Sequence, residues 1–207
     1  MKMKKISLIV LLVMFSVNLW AQDEDEKKSG FKKENLFTGG TLNVSFGNQV
    51  TALGISPFFG YSINKYIDVA ASVGLNYISQ RDYSFYNSND KLRQTIYGPG
   101  AFVRVFPVKF LFAQAQYEFN FIKYKYIPPS NSGIPSEKYN MDAHSMLVGG
   151  GFASGRDGDN KSFYYISILW DVAKSVNSPY KDNLNRAIPV IRAGYNIALF
   201  QGRGNRD

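Results

Sequence analysis

The sequence predicts an all-β fold: an eight-stranded, antiparallel, up-and-down transmembrane β-barrel behind a cleavable signal peptide. Three observations predict it. Apolar and polar residues alternate with a period of two over segments long enough to cross a membrane as tilted strands of ~9–11 residues. After residue 21 no apolar run approaches the length of a membrane helix. A closed sheet is then the spanning structure left to the chain, because lipid offers no hydrogen-bond partner to an open edge. Finally, the connections between alternating segments are short on one side and mostly long on the other, as in bacterial membrane barrels.

The composition agrees. The 207 residues suit one domain, and 14 Tyr, 16 Phe and 18 Gly favour strands and tight turns over helices. There is no Cys, which excludes a disulfide framework and thiolate metal sites.

The elements follow in order. Residues 1–21 read as a signal peptide: Lys2, Lys4 and Lys5 precede the apolar core Ile6–Phe15, and Ala21 offers a small residue before the cut. Residues 22–35 are charged and nearly devoid of apolar side chains, a solvated periplasmic arm. The eight expected strands are 36–47, 50–63, 66–79, 93–106, 110–125, 143–155, 162–173 and 187–200. This makes 36–200 the barrel and 201–207 a polar periplasmic tail. Leu42, Val44 and Phe46 alternate with Asn43 and Ser45; Leu53, Ile55, Phe59, Tyr61 and Ile63 with Gly54, Ser56 and Ser62. Val69, Val73, Leu75 and Tyr77 alternate with Asp68, Ser72, Gly74 and Asn76, and Tyr117, Phe119 and Phe121 with Gln116, Glu118 and Asn120. Asn64-Lys65, Pro107-Val108-Lys109 and residues 156–160 are the short turns. Residues 80–92, 126–142 and 174–186 are the long loops, and Gly47-Asn48-Gln49 is one tight outer turn.

The same parity turns Asp68, Arg104, Glu118, Asp171 and Arg192 into the lumen. Asp68 and Arg104 sit near the same end of adjacent strands, placed to pair. Asp171 and Arg192 lie on neighbouring strands, and Glu118 and Arg192 share a mid-barrel depth. Phe102 and Phe112 also point inward, with Gly98 and Gly100 leaving room for them. An eight-stranded barrel is just wide enough for side chains to fill, so a packed, salt-bridged plug is expected, with a gated narrow pore as the alternative.

Chemistry-bearing patterns are sparse. The one histidine, His144, is beside Ser145 and near Asp142. A nucleophilic pair needs both side chains within hydrogen-bond reach, but neighbours on a strand point to opposite faces, so His144 is expected at the rim, where the loop meets the strand. Gly149-Gly150-Gly151 lacks the Lys and helix of a phosphate loop, and Arg156-Asp157-Gly158-Asp159-Asn160 lacks the distal Glu of a calcium loop. No catalytic residue, cofactor or metal is expected. Tyr83, Phe85, Tyr86, Pro128, Pro129, Tyr139 and Tyr180 fall in the outer loops, where aromatics bind partners or close the mouth. The formal charge is +8, of which the signal peptide takes three. The remaining basic residues are scattered, mostly near expected turns and loops, so no nucleic-acid partner is expected.

The hairpin Ser56-Pro57-Phe58-Phe59-Gly60-Tyr61-Ser62-Ile63-Asn64, with Gly74-Leu75-Asn76-Tyr77, Tyr97-Gly98-Pro99-Gly100 and Ser178-Pro179-Tyr180, resembles the small outer-membrane β-barrel proteins of Bacteroidota, OmpA-like or OmpW-like eight-stranded barrels. The resemblance covers most of residues 36–200 and implies fold and an outer-membrane location, not an active site. Arg192-Ala193-Gly194-Tyr195-Asn196-Ile197-Ala198-Leu199-Phe200 resembles the C-terminal signal read by the barrel-assembly machinery, with Arg192, Gly194, Ile197, Leu199 and Phe200 in its roles and the tail as a departure. The expected partners are outer-membrane lipid and lipopolysaccharide, and that machinery during biogenesis; no extracellular partner is named. The expected function is non-enzymatic, in envelope integrity or surface interaction through the long loops. The alternatives are a narrow OmpW-like, porin-like channel and a soluble lipocalin-like periplasmic ligand binder.

Overall fold

The structure, a computed structural model, describes residues 31–46, 49–84, 88–156, 162–173, 175–180 and 186–200. The expected signal peptide, most of the charged arm and the tail lie outside the described residues. The barrel unit begins at Lys32, and a single 3-10 turn, Lys33–Asn35, precedes the first strand.

Eight antiparallel strands close in chain order: β1 (Leu36–Phe46), β2 (Val50–Ser62), β3 (Ile67–Arg81), β4 (Lys91–Val108), β5 (Leu111–Ile127), β6 (Glu137–Ser154), β7 (Phe163–Asp171) and β8 (Val190–Ala198). The seam joins β1 to β8 with Phe37 opposite Ala198 and Leu42 opposite Ala193. Leu199 N donates to Leu36 O at 2.8 Å just past it. Closure removes the open edge that a sheet otherwise presents.

The turns on one rim are tight for local reasons. Asn64 Oδ1 accepts from Tyr66 N at 2.8 Å and Ile67 N at 3.0 Å, a side chain standing in for backbone at the β2–β3 turn. Lys109 and Phe110 alone separate β4 from β5.

Alternation is strict where both faces are constrained. In β7 and along most of β5 every second residue is buried. The buried set is mixed: Arg104, Gln114, Gln116, Glu118, Ser145 and Arg192 are inside together with a group of aromatic rings. The exposed set is apolar: Phe59, Val73, Leu75, Ile166 and Ile191 stand outward, Val73 at 59% and Ile191 at 60% exposure. A barrel folded in water has these faces the other way round, since burial of apolar area is what drives its collapse.

The wall is uneven. β4, β5 and β6 run 18, 17 and 18 residues, while β7 and β8 run 9 each. The largest departure from the expected boundaries is β6, which starts at Glu137 rather than 143. Residues 137–142 pair with Tyr126 back to Phe121 of β5. Their polar outward residues, Lys138 and Asn140, read as loop because alternation of hydrophobicity marks a strand only where one face meets an apolar medium. The β3–β4 and β5–β6 loops are correspondingly shorter than expected, whereas the β7–β8 connection, 172–189, is longer, and Tyr139 belongs to a strand rather than a loop.

Gly194 lies at the seam between β7 and β1, opposite both Tyr165 and Thr41. A Cβ there would sit 2.5 Å from Gly40 O and 2.6 Å from the Tyr165 ring. Gly194→Val should therefore destabilise the barrel by about 1–3 kcal/mol through overpacking. Urea titration in micelles, followed by tryptophan fluorescence, measures it.

Candidate functional site

The lumen is filled in layers. At the short-turn end, Phe37, Phe58, Phe102, Phe106, Phe112, Phe163 and Tyr165 form one buried cluster with Ala70 and Ala153. Phe58 meets Phe102 edge-on at 5.4 Å, and Phe106 meets Phe163 edge-on at 5.9 Å. Edge-to-face pairs set the positive rim of one ring on the negative face of another.

Two arginines enter this aromatic floor. The Arg104 guanidinium lies 4.0 Å from the Tyr165 ring centroid and 4.4 Å from that of Phe102, and the residue is 1% exposed. Arg156, from the β6–β7 turn, folds back over Phe106 at 3.5 Å and reaches Asp68 Oδ1 at 3.3 Å. Asp68 and Arg104 are directly opposite in register, as their positions implied. Arg104 bonds Gln114 among the rings, while Arg156 supplies a cation at Asp68. Nothing in residues 156–160 indicated that Arg156 would turn inward; residues 157–160 lie outside the described residues.

A relay of hydrogen bonds climbs β5 from Arg104. Arg104 Nε donates to Gln114 Oε1 at 2.9 Å, Gln114 Nε2 to Gln116 Oε1 at 2.7 Å, and Gln116 Nε2 to Glu118 Oε1 at 2.9 Å. The direction is forced. Arginine has only donors and a carboxylate only acceptors, so each amide must turn its oxygen to the cation and its nitrogen to the anion. Aligned dipoles between opposite charges reinforce one another.

Glu118 is the meeting point. Arg192 Nη2 reaches its Oε1 at 2.8 Å, and the Tyr180 hydroxyl donates to its Oε2 at 2.6 Å. Arg192 Nη2 also donates to the Tyr180 oxygen at 3.3 Å. Tyr180 was expected among exposed loop aromatics; instead the β7–β8 loop dips into the mouth and brings it to the charges. Gly100 makes space for Glu118: a Cβ there would lie 3.3 Å from Glu118 Cγ and 2.9 Å from Tyr117 O. The expectation that Gly98 and Gly100 leave room for Phe102 and Phe112 is thus corrected, as both glycines face the β5 backbone.

Asp171 does not pair with Arg192. Its Oδ1 accepts from Met146 N and Ala173 N, both at 2.9 Å, and its Oδ2 accepts from Ser178 Oγ. Ser178 Oγ also contacts Ser145 Oγ at 3.3 Å and accepts from Tyr180 N at 3.2 Å. Asp171 therefore anchors the descending loop rather than balancing a lumen cation. The free space left between Thr41, Ser56, Gln114 and Gln116 is about 10 Å³, room for no more than one water.

Of the residues matched to the assembly signal, Arg192 is inside the network and Gly194 is at the seam. Ile197 faces outward, Leu199 closes on Leu36, and Phe200 has a positive φ of 52° beyond the end of β8.

Above the mouth, Asp90 gathers the β3–β4 loop. Tyr83 N donates to it at 2.7 Å, Ser84 N at 3.2 Å and Tyr126 Oη at 3.1 Å, and the Ser84 and Ser88 hydroxyls also donate. Burial raises its carboxyl, but these hydrogen bonds outweigh burial and hold it at about 2.

His144 is outward and exposed, seven residues into β6 rather than at its rim, because β6 begins earlier than expected. Its Nδ1 meets the Tyr117 hydroxyl at 2.5 Å, whereas Ser145 is buried on the lumen side. Gly149, Gly150 and Gly151 lie within β6 against β5 and β7. Among the described residues no group of three or more His, Asp or Glu is placed to hold a metal. Tyr124 and Tyr139 stack at 5.1 Å, and Phe85 and Tyr86 lie outside the described residues.

No protein-family model and no curated protein matches the chain. Two crystal structures of Ail, the attachment invasion locus protein of Yersinia pestis, are similar to it. One is in complex with the heparin analogue sucrose octasulfate, at 12% identity and a TM-score of 0.46; the other has 14% identity and a TM-score of 0.45. Each match covers 78% of this chain and 96% of that one.

Two outcomes follow from the site. Glu118→Gln or Arg192→Met alone should cost about 3–5 kcal/mol by stranding a buried charge, and the double variant should cost less than the sum; denaturant unfolding of the four proteins measures the cycle. Because the Asp90 carboxyl is lowered, its stabilisation of the loop is complete above pH ~4 and disappears as pH falls through about 2. A carbon-13 titration of Asp90 in micelles should show that midpoint.

Proposed function

We propose that this chain is a non-enzymatic outer-membrane barrel whose lumen is closed and whose work is done at its surface, in envelope integrity or surface interaction. The observation that carries the reading is the pair of faces: a continuous apolar exterior, and an interior that holds buried ions and amides above an aromatic floor. This is the arrangement that hydrocarbon outside and a sealed wall demand. It is opposite to a lipocalin-like binder, which keeps its apolar residues for the cavity.

The rim asymmetry supports an orientation. Tight turns at Ile63–Tyr66 and Lys109-Phe110 sit on the rim that also carries both ends of the barrel chain, the periplasmic side in such proteins. The tall β3–β6 wall and the inserted β7–β8 loop then face outward from the cell.

Closure favours a surface role over a narrow channel. Two barriers lie in series, the Glu118–Arg192–Tyr180 cluster and the aromatic floor around Arg104. The space between them, bounded by Arg104, Gln114, Gln116 and Arg192, is about 10 Å³.

Planar-bilayer recording together with membrane fractionation tests the reading. The protein should fractionate with outer membranes, migrate on gels in a heat-modifiable way, and show no steady conductance. Tyr180→Ala should also stay closed, because the floor remains. Recovery as a detergent-free soluble monomer overturns the location, and stable unitary currents from the wild type overturn the closed lumen.

A further inference from the structure

The basic residues that look scattered in the chain converge once the strands pair. On the outward face of the tall wall, Arg93 of β4 is directly opposite Lys125 of β5, and Lys125 is directly opposite Lys138 of β6. One row further out, Arg81 of β3 faces Lys91 of β4. One row further in, Lys123 of β5 lies opposite Thr95 and Asn140. Directly paired strand residues have Cβ atoms ~4.5–5.5 Å apart, so like charges there repel. None of these six cations has a carboxylate partner among the described residues. The nearby acids are Asp142, opposite Phe121 in the row below, Glu137, on the opposite face by alternation, Asp82, which accepts from Gln49 and Asn89, and Asp90, buried and held by the β3–β4 loop and Tyr126.

Their height is set by what lies beneath. The next row inward sets Leu75, Tyr97 and Phe121 side by side on β3 to β5 and ends at Asp142 of β6. Tyr97 stacks on Phe121 at 5.5 Å, and Lys123 Nζ is 5.2 Å from the Tyr97 ring centroid. From Tyr97 to Pro107 is about 34 Å of strand, or about 26 Å along the membrane normal at a tilt of ~40°. That matches the apolar band of a membrane barrel, ~25 Å tall. The cations therefore begin where hydrocarbon ends.

We propose that Arg93, Lys125 and Lys138, flanked by Lys123, Lys91 and Arg81, form a docking surface for the phosphate groups of a phosphorylated glycolipid in the surrounding leaflet. Charge complementarity favours a phosphate-bearing occupant, and the depth places it in a lipid headgroup rather than in solution. Phosphate oxygens between the rows relieve the cation–cation repulsion, while acyl chains lie on the aromatic row below. The proposal rests on the membrane reading above.

The test uses the protein in nanodiscs of phosphatidylcholine doped with bisphosphorylated lipid A. Mass spectrometry follows the lipid retained after repeated exchange against neutral nanodiscs. Wild type should retain lipid A selectively. The combined variant Arg93→Gln, Lys125→Gln and Lys138→Gln should bind on the order of 100-fold more weakly, about fivefold per charge removed. Lys65→Gln with Lys109→Gln, at the opposite rim, should leave retention unchanged. Heat-modifiable migration checks that every variant is folded. Equal retention by the triple variant, or of lipid A stripped of its phosphates, overturns the proposal. So does equally tight binding of soluble polyphosphate to the protein in neutral nanodiscs. Wild type that inserts without selective retention defeats this inference alone; wild type that does not insert removes the membrane reading and this inference together.

Discussion

A charge inside an eight-stranded barrel has no water to fall back on, and that constraint organises the lumen. Arg104, Arg192, Glu118 and Asp68 are all buried, and an ion in such a place persists only if paired and hydrogen-bonded. Each solution recruits the next element. Arg104 takes Gln114 and four rings; Gln114 and Gln116 carry its polarity to Glu118; Glu118 needs Arg192 from β8 and Tyr180 from the loop. Elements far apart in the chain are thereby tied across the lumen, not only around the wall. β5 contributes most because its inward row is polar without interruption from Gln114 to Asn120.

Much of the wall was legible in the sequence because two-residue periodicity reports directly on which face meets an apolar medium. The strands of the band are marked by outward residues such as Val73, Leu75, Ile166 and Ile191, whose alternation follows from one face of the sheet meeting an apolar medium. The same logic explains the error at residues 137–142. Above the band both faces of β5 and β6 are polar or mixed, so Lys138 and Asn140 carry no strand signature, although their backbone pairs as regularly as that of Met146.

The site was legible in part. Parity placed the five charged residues in the lumen, but parity says nothing of rotamer or of loops. Arg104 left Asp68 for the rings, Asp171 turned to the loop, and the partners that replaced them, Arg156 and Tyr180, come from connections with no periodicity to read. A short motif such as Ser178-Pro179-Tyr180 marks a turn, yet the chemistry that pulls it inward resides on Glu118, 62 residues before Tyr180 in the chain. The outward cations illustrate the same point. Arg93, Lys125 and Lys138 are dispersed in sequence and adjacent in space, and only strand register joins them.

The two closures of the lumen differ in kind, and this bears on what the outer surface can do to the interior. The upper closure is made by a loop held through Asp171, Ser178 and Tyr180. Hydrogen bonds to charged groups contribute about 1.5–3 kcal/mol each, within reach of a binding event at the surface. The lower closure is made by strand-borne rings and Arg104, and moving it means breaking close packing in the wall itself. A partner that withdrew the β7–β8 loop would expose Glu118 and Arg192 as a charged cup at the mouth while the floor stayed shut. Loosening the loop-borne closure therefore leaves the strand-borne one in place.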